Sequence, residues 1–278
     1  MARYQVILAY DGTLFEGFQR QAHARTVQSV FEDALRRIGW QDEVILSAGR
    51  TDTGVHASGQ VVAFDLDWAH SPQELCAALN ANLPPDVAAQ DVRLADGTFH
   101  PRYDAIARTY RYRIFCQIRR NPLRERYAWR IFAPLDVQLL QQAADLLHGT
   151  HDFAPFGTPP RTGGSTIRAV TQAFWQTVED EMVFTITANA FLYHMVRRLV
   201  FVQVLVGHGK LTLEQLVEGW VLPSPIAPGL AAPQGLTLAQ VDYPTVEGLR
   251  YKPKDFAEGI KHTLAASGEN DRGQDFRP

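Results

Sequence analysis

The sequence predicts an α+β fold built from two halves. Alternating apolar and polar residues indicate short strands in both halves, and apolar residues at helical spacing indicate helices between them. The elements follow one another in a mixed order, not in the regular strand–helix alternation of a parallel sheet. A length of 278 residues fits one large domain or two ordinary ones, and we expect two.

The first half begins with the alternating segment RYQVILAY (3–10), a strand that ends at the turn residues Asp11 and Gly12. An amphipathic helix follows from Thr26, and a second helix begins with Ser71 as N-cap and Pro72 as its first residue. The remaining elements are expected as strands at 43–48, 59–67 and 86–94, with the second helix at 71–83.

The second half begins with a basic strand, ARTYRYRIF (107–115). After it the pattern predicts a helix at 136–148, strands near 168–178 and 182–189, helices at 191–206 and 212–219, and a strand near 236–242. The proline- and glycine-rich segment APFGTPPRTGG, between Asp152 and Ser165, is expected to be a mobile surface loop that could close over a ligand. A similar segment spans 223–235.

These boundaries predict three parts of the chain. The N-terminal domain covers 1–103, the C-terminal domain covers 104–246, and a polar, frayed tail covers 247–278. No period of 20 to 50 residues repeats, which excludes solenoid folds.

Composition narrows the class of protein. With 46% hydrophobic and 21% charged residues, the chain is neither disordered nor collagen-like. Cys76 and Cys116 are far apart and form no CxxC pair, which argues against a disulfide framework or structural zinc and fits a reducing compartment. No signal peptide or membrane-spanning segment is evident, so we expect a soluble, cytoplasmic protein with no membrane partner. No motif indicates a metal or an organic cofactor, and we expect none.

Charge is unevenly distributed along the chain. The formal net charge is −3, but residues 104–210 carry 13 basic and 8 acidic side chains, whereas residues 1–103 carry 8 and 13. Nine arginines lie within residues 102–130. This cluster could bind phosphates, although the high arginine content could equally reflect genomic composition.

The loop GRTDTGVHA (49–57) lies between two predicted strands, so we expect it to be rigidly mounted. It places the guanidinium of Arg50 two positions from the carboxylate of Asp52, and its glycines permit sharp bends. Such a loop can present a catalytic carboxylate, but an aspartate in a turn also commonly caps the turn. The loop residues alone leave both interpretations open.

Two further segments carry candidate functional side chains. On the basic strand, Tyr110 and Tyr112 alternate with arginines, so one face could stack on bases while the other meets phosphate. An ordinary core strand with a solvated face explains the same pattern. In FLYHMVRRLV (191–200), Arg197 falls at the edge of a buried helical stripe. An arginine there either pairs with a carboxylate or extends to solvent.

The segment VILAYDGTLF ends like the nucleophile strand of haloacid-dehalogenase-type phosphatases. In that family the nucleophilic aspartate stands two positions before the equivalent of Asp11, and Ala9 occupies that place here. The covalent aspartyl-phosphate could not form, so a strand-ending turn explains Asp11 and Gly12 better.

Several segments together resemble the TruA-type tRNA pseudouridine synthase family. They are YDG (10–12), GFQRQ (17–21), AGRTDTGVHASGQVVAF (48–64), NANLP (80–84), FHPR (99–102), ARTYRYRI (107–114) and FLYHMVRRLV (191–200). The resemblance covers about residues 3–245, and every fixed position of the family's motif G-R-T-D-x-G-V-H is present. The departures are Phe18, where many members have tryptophan, and the loop at 155–164.

The resemblance implies isomerisation of uridine to pseudouridine on the 3′ side of the tRNA anticodon stem-loop, at tRNA positions 38 to 40, after extrusion of the base. It implies that Asp52 is the essential carboxylate and that Arg197 is its basic partner. Arg50 would take the place of the extruded base, and Tyr110 would stack on the target uracil.

The resemblance also implies further tRNA-binding residues and a homodimer. Arg20 in GFQRQ and Arg102 in FHPR would bind the substrate tRNA. Family members are homodimers of two related α+β domains, whose mainly antiparallel sheets meet at a central basic cleft. No metal or organic cofactor is implied.

Two other classes of protein remain as alternatives. A non-catalytic RNA-binding protein would keep the arginines and the aromatic strand but would have no need of Asp52 or Arg197. A phosphatase or nucleotide hydrolase would need a metal-binding acidic set around Asp11, which the sequence does not show.

Overall fold

The structure is a computed structural model that describes residues 1–220 and 226–244, and the strands in this part form one mixed, mostly antiparallel sheet. The strands are β1 (Ala2–Tyr10), β2 (Leu46–Ser47), β3 (His56–Leu66), β4 (Val87–Leu94), β5 (Ala107–Cys116), β6 (Trp129–Ile131), β7 (Gly149–Asp152), β8 (Ile167–Val178), β9 (Glu181–Ala188) and β10 (Leu236–Asp242). The helices are α1 (Val27–Arg37), α2 (Pro72–Asn82), α3 (Pro122–Glu125), α4 (Val137–Asp145), α5 (Met195–Gly207) and α6 (Leu213–Trp220). The predicted α+β class is confirmed. Within the described residues no helix is long and apolar enough to cross a membrane.

The last described strand connects the two halves of the sheet. The strand order is β4-β1-β3-β10-β5-β9-β8-β7, with β2 paired to β3 and β6 to β5. β10 runs parallel to β3, where Thr237 is opposite His56, and antiparallel to β5, where Leu238 is opposite Tyr110. Gly59 permits this close pairing, because a Cβ there would lie 2.2 Å from the Ala239 carbonyl oxygen.

Two apolar cores pack against the sheet. In the first, Leu35 of α1 and Leu75 of α2 are fully buried, and in the second Leu140 of α4 and Leu199 of α5 are buried. Tyr110 of β5 packs against both cores, so it lies where they meet. The division of the chain into domains at residue 103 stays a prediction.

Capping residues set the starts of the first two helices, as predicted. Thr26 accepts a hydrogen bond from the Ser29 amide at the start of α1. Ser71 accepts one from the Glu74 amide, and the Glu74 carboxylate in turn accepts from the Ser71 amide at 2.9 Å. These reciprocal bonds satisfy donors that a helix start would otherwise leave free, which confirms the predicted helix starts.

The strand predicted at 43–48 is wrong in its extent, because β2 contains only two residues. Side chains bind the backbone just before it. The Arg20 guanidinium donates to the Glu43 carbonyl oxygen at 3.1 Å, and the Ile45 amide donates to the Glu32 carboxylate at 3.3 Å. These backbone groups bond to side chains, and strand pairing begins only at Leu46.

The helix predicted at 191–206 begins four residues later, at Met195. His194 has φ +66°, a left-handed conformation that cannot continue a helix. Tyr193 exchanges two backbone hydrogen bonds with Thr158 instead. Phe156 is fully buried, so the first part of the loop predicted between Asp152 and Ser165 does not lie on the surface, and the mobility of this loop stays a prediction.

Several short elements carry too little sequence pattern to be predicted, namely α3, β6 and β7. The predicted segment at 223–235 is described only from residue 226. The predicted tail at 247–278 lies outside the described residues.

Candidate active site

The loop that carries Asp52 is docked closely on the segment that follows β1. A Cβ at Gly12 would lie 2.1 Å from the Val55 carbonyl oxygen. Gly17 has φ +89°, and a Cβ there would lie 2.9 Å from the Thr51 carbonyl oxygen. The glycines of YDG and GFQRQ are therefore needed for the loop to approach this segment.

Hydrogen bonds fix the loop on both sides of Asp52. The Tyr10 and Thr51 hydroxyls lie 2.8 Å apart in a buried hydrogen bond. The Gln60 side-chain amide donates to the Gly49 carbonyl oxygen at 3.0 Å. A loop held in this way presents its carboxylate with little conformational freedom.

Asp52 faces two basic side chains of the second half. Its Oδ2 lies 3.0 Å from Arg197 Nη1 and 3.5 Å from His194 Nε2. The Asp52 and Arg197 side chains are only 18% and 13% exposed. The guanidinium compensates the carboxylate charge in a setting where water alone would do so poorly. The alternative that Arg197 extends to solvent is excluded.

A second hydrogen bond orients the Arg197 side chain toward Asp52. Arg197 Nε donates to the Ala231 carbonyl oxygen at 2.9 Å. The neighbouring Ala232 carbonyl oxygen accepts from the Tyr112 hydroxyl at 2.6 Å. The segment before β10 thus anchors the guanidinium to the buried β5 strand.

The cleft around Asp52 brings four of the predicted site residues together: Arg50, Asp52, Tyr110 and Arg197. The Tyr110 ring packs edge-on against Phe191 at 5.0 Å. Burial raises the pKa of Tyr110 to about 12, and the nearby negative charge of Asp52 acts in the same direction. At neutral pH its hydroxyl therefore keeps its proton and can donate a hydrogen bond.

The alternation predicted on β5 is confirmed. Tyr112 and Ile114 are buried, Tyr110 faces the cleft, and Arg111 and Arg113 are exposed. Tyr112 is thus a core residue, and Tyr110 is the aromatic ring of this strand that the cleft exposes to a ligand.

Arg20 and Arg102 lie outside the lining of this cleft. Arg20 pairs at 2.8 Å with Glu32, a carboxylate with no solvent exposure. The Arg102 carbonyl oxygen accepts a hydrogen bond from Arg108 at 2.7 Å. The same Arg108 guanidinium also donates to the Ala48 carbonyl oxygen, at the start of the Asp52 loop.

His194 was not predicted as a site residue. It belongs to the FLYHMVRRLV segment and stands three residues before Arg197, a spacing that would place both side chains on one face of the helix predicted at 191–206. The left-handed backbone of His194 turns the ring into the cleft. Burial lowers its pKa, and the positive charges of Arg197 and Arg198 lower it further against the opposing effect of Asp52.

A second cluster of polar side chains stabilises the loop that carries Asp52. The Gly12 amide donates to His56 Nδ1 at 3.0 Å, and His56 Nε2 contacts the Arg126 carbonyl oxygen at 3.1 Å. Asp11 accepts from Arg126 Nε at 2.7 Å and from the Tyr127 hydroxyl at 2.9 Å. Asp11 thus links the two halves of the chain. Within the described residues no group of three or more metal-ligating side chains is present.

These contacts set the ionisation of the cluster. Partial burial raises the pKa of Asp11, but hydrogen bonds from Thr13, Arg126 and Tyr127 outweigh it and hold the pKa at about 2. Burial lowers the pKa of His56 more strongly than the Asp11 charge raises it. A neutral imidazole is also what the Gly12 bond requires, since Nδ1 must accept.

Acidification should destabilise the fold through His56 and His194. Both have folded-state pKa values below the ordinary 6.5. Below that pH the unfolded chain binds more protons than the folded chain, so the free energy of unfolding should fall as pH falls below 6.5. Urea unfolding between pH 7.5 and 5 measures this, and His56→Gln should flatten the dependence. A wild-type stability independent of pH over this range would contradict the burial of neutral imidazoles.

Most arginines of the cluster at 102–130 are already paired with carboxylates. Arg124 bonds Asp180 at 2.6 Å and Glu181 at 3.2 Å. The other pairs in the cluster are Arg113–Glu181, Arg120–Glu125, Arg126–Asp11 and Arg130–Glu125. The predicted concentration of free positive charge is therefore reduced in the fold.

Comparison with known proteins gives the class. A family model described as tRNA pseudouridine synthase matches residues 6–104 and 143–244. Both matched segments contribute to the cleft, Asp52 and Arg50 in the first and His194 and Arg197 in the second. The chain belongs to the tRNA pseudouridine synthase family. It is an enzyme of tRNA processing, an isomerase.

The similar relatives carry a more particular description, tRNA pseudouridine synthase A. The relative from Streptococcus equi subsp. equi (strain 4047) is 39% identical over 87% of this chain and 99% of its own. The relative from Chloroflexus aurantiacus (strain ATCC 29366 / DSM 635 / J-10-fl) is 40% identical over 88% and 90%. The relative from Shouchella clausii (strain KSM-K16) is 39% identical over 87% and 94%.

Proposed function

We propose that this enzyme isomerises uridine to pseudouridine on the 3′ side of the tRNA anticodon stem-loop, at tRNA positions 38 to 40, with Asp52 as the essential carboxylate. The observation that carries this proposal is the Asp52–Arg197 pair, 3.0 Å apart in a cleft that Tyr110 and Arg50 also line. A protein that only binds RNA has no use for a carboxylate held in this way, because the negative charge of the carboxylate would repel phosphate.

The bond changes need no external reagent. The bond between ribose C1′ and uracil N1 breaks, the base rotates, and C1′ bonds to C5. The C5 hydrogen leaves as a proton and N1 gains one, so the atoms and electrons balance within the substrate. Asp52 acts as a nucleophile at the sugar or the ring, or as the base that takes a sugar proton, and each role uses the ionised carboxylate.

The other cleft residues position Asp52 and the target uracil and compensate the charge of Asp52. Arg197 holds Asp52 and compensates its charge, and Tyr110 provides a ring on which the target uracil stacks. The exposed Arg50 fills the gap left in the stem by the extruded base. Extrusion costs a few kcal/mol, which contacts elsewhere on the tRNA must offset.

We further propose that the halves at 1–103 and 104–246 are related domains around a central basic cleft. The placement of Asp52 in the first half and Arg197 in the second supports a site between them. Arg20, whose side chain is 44% exposed, and Arg102 complete the proposed substrate-binding set. The homodimer is proposed from the family resemblance, and sedimentation of the purified protein tests it.

The positions of modification can be tested directly. Unmodified transcripts of several tRNAs are incubated with the enzyme, and pseudouridines are mapped by carbodiimide adducts that stop reverse transcription. We expect new stops at uridines 38 to 40 only, and none after replacement of those uridines by cytidine. Stops confined to another arm of the tRNA would refute the proposed positions.

The salt dependence of tRNA binding should distinguish the arginines of the basic cluster that contact phosphate from those that are paired with carboxylates. Arg119 is exposed and makes no salt bridge within the described residues, whereas Arg124 is neutralised by two carboxylates. If Arg119 contacts a phosphate, Arg119→Ala should flatten the slope of log affinity against log salt by roughly 0.7 to 0.9. Arg124→Ala should change the slope less. Filter binding of tRNA from 50 to 300 mM salt measures both, and the reverse ranking would contradict this assignment.

A further inference from the structure

An exposed aromatic ring stands at the mouth of the cleft. Tyr193 is 56% exposed, yet it lines the same cleft as Asp52. Its ring lies against the His194 ring with centroids 3.6 Å apart and an interplanar angle of 31°. His194 Nε2 is in turn 3.5 Å from Asp52 Oδ2. One imidazole therefore separates the Tyr193 ring from the catalytic carboxylate.

The backbone around Tyr193 is held on both sides. The Tyr193 amide donates to the Thr158 carbonyl oxygen at 2.9 Å, and the Thr158 amide donates back at 3.4 Å. Gly157 permits this contact, because a Cβ there would lie 2.6 Å from the Tyr193 carbonyl oxygen. On the other side, the left-handed His194 fixes the start of α5. The ring is thus presented by a rigid backbone.

A rigid aromatic ring with a free face suits a planar ligand. Single exposed apolar residues are normal on protein surfaces, but this one borders the reaction site and already packs against the tilted ring of His194. Base–aromatic stacking is tolerant of sequence because every nucleobase has a π-face. A ring fixed before binding also loses little conformational entropy when a base stacks on it.

We propose that Tyr193, backed by His194, stacks on the nucleobase adjacent to the extruded uridine in the tRNA chain. This inference rests on the proposed function, since it assumes that the target uracil enters beside Asp52. One phosphodiester joins the neighbouring nucleotide to the target, so its base must lie near the cleft mouth. Tyr110 holds the target base itself, and Tyr193 holds its neighbour.

Three variants test whether the ring acts in binding. Tyr193→Ala should weaken tRNA binding about 10-fold, whereas Tyr193→Phe, which keeps the ring, should stay within about 2-fold of wild type. Phe132→Ala removes another exposed aromatic side chain, 68% exposed and outside the cleft lining, and should match wild type. Equal affinities for Tyr193→Ala and wild type would overturn the proposal.

A cycle that combines Tyr193→Ala with an abasic residue in the tRNA identifies the base that stacks on Tyr193. Two tRNAs are made with uracil C5 tritium at the target uridine, one with an abasic residue 5′ to the target and one with it 3′. For one of the two, single-turnover tritium release by wild type should be about 10-fold less efficient than for intact tRNA. In Tyr193→Ala the same abasic change should cost less than about 2-fold, because its stacking partner is already missing.

The cycle separates the two hypotheses. If wild type releases no tritium from intact tRNA, the proposed function fails. The other outcome is that wild type is active on intact tRNA while, for both the 5′ and the 3′ neighbour, the abasic change lowers the efficiency of tritium release by the same factor in Tyr193→Ala as in wild type. In that case only the stacking proposal is overturned. Circular dichroism and unfolding of each variant exclude loss of fold as the cause.

Discussion

Asp52→Asn is expected to lower turnover by more than about 100-fold, equivalent to at least ~2.7 kcal/mol of transition-state stabilisation. The asparagine keeps the shape of the side chain and can still accept a hydrogen bond from Arg197, which lies 3.0 Å away. It removes the negative charge and the nucleophilicity that every proposed role of Asp52 requires. Single-turnover pseudouridine formation at saturating tRNA measures the loss.

The fold and the affinity for tRNA should survive this change. The Asp52 loop is held by the Tyr10–Thr51 and Gln60–Gly49 hydrogen bonds, which do not involve the carboxylate. Asp67→Asn makes the same substitution at an exposed position just after β3 and should leave turnover at the wild-type level. Retention of more than about 1% of wild-type turnover in Asp52→Asn would refute the role assigned to Asp52.

Arg197→Met should reduce both turnover and stability. The substitution leaves Asp52 without its partner and the Ala231 carbonyl oxygen without its donor. Breaking a fully buried pair costs about 3–5 kcal/mol, and partial exposure of both side chains reduces the expected loss to about 1–3 kcal/mol. Turnover should fall by at least about 100-fold, because the carboxylate loses its positioning contact.

A conservative variant separates charge from geometry. Arg197→Lys restores a positive charge but cannot bond Asp52 and Ala231 in the same arrangement, so its turnover should lie between those of wild type and Arg197→Met. Urea unfolding and single-turnover rates are measured on all three proteins. Normal stability together with a normal rate in Arg197→Met would contradict the pair described here.

Local patterns predicted the elements whose ends are set by their own residues. Ser71 and Pro72 start α2, and Thr26 starts α1, because capping depends on side chains within one turn. β10 was predicted at its observed bounds, 236–242. The sequence could not show that it runs between β3 and β5, since strand pairing over such separations leaves no local signal.

The failures share a physical cause: contacts between distant residues compete with local preference. Arg20 and Glu32 bond the backbone before Leu46 and shorten β2. Thr158 bonds Tyr193 and delays the start of α5. The motif pointed to Asp52 and Arg197, and the three-residue spacing between His194 and Arg197 was the signal that could have added His194 to the site.

Release of the C5 hydrogen tests the central claim most directly. Uracil C5 carries hydrogen in uridine and ribose in pseudouridine, so one hydrogen must leave for each base isomerised, whichever role Asp52 takes. Unmodified tRNA with tritium at uracil C5 should release tritium to water with purified enzyme and buffer alone, in equal number to the pseudouridines formed at positions 38 to 40. Asp52→Asn should release tritium at less than about 1% of the wild-type rate. If folded wild-type protein binds such tRNA and no tritium is released, the proposed isomerisation by the Asp52 site is contradicted.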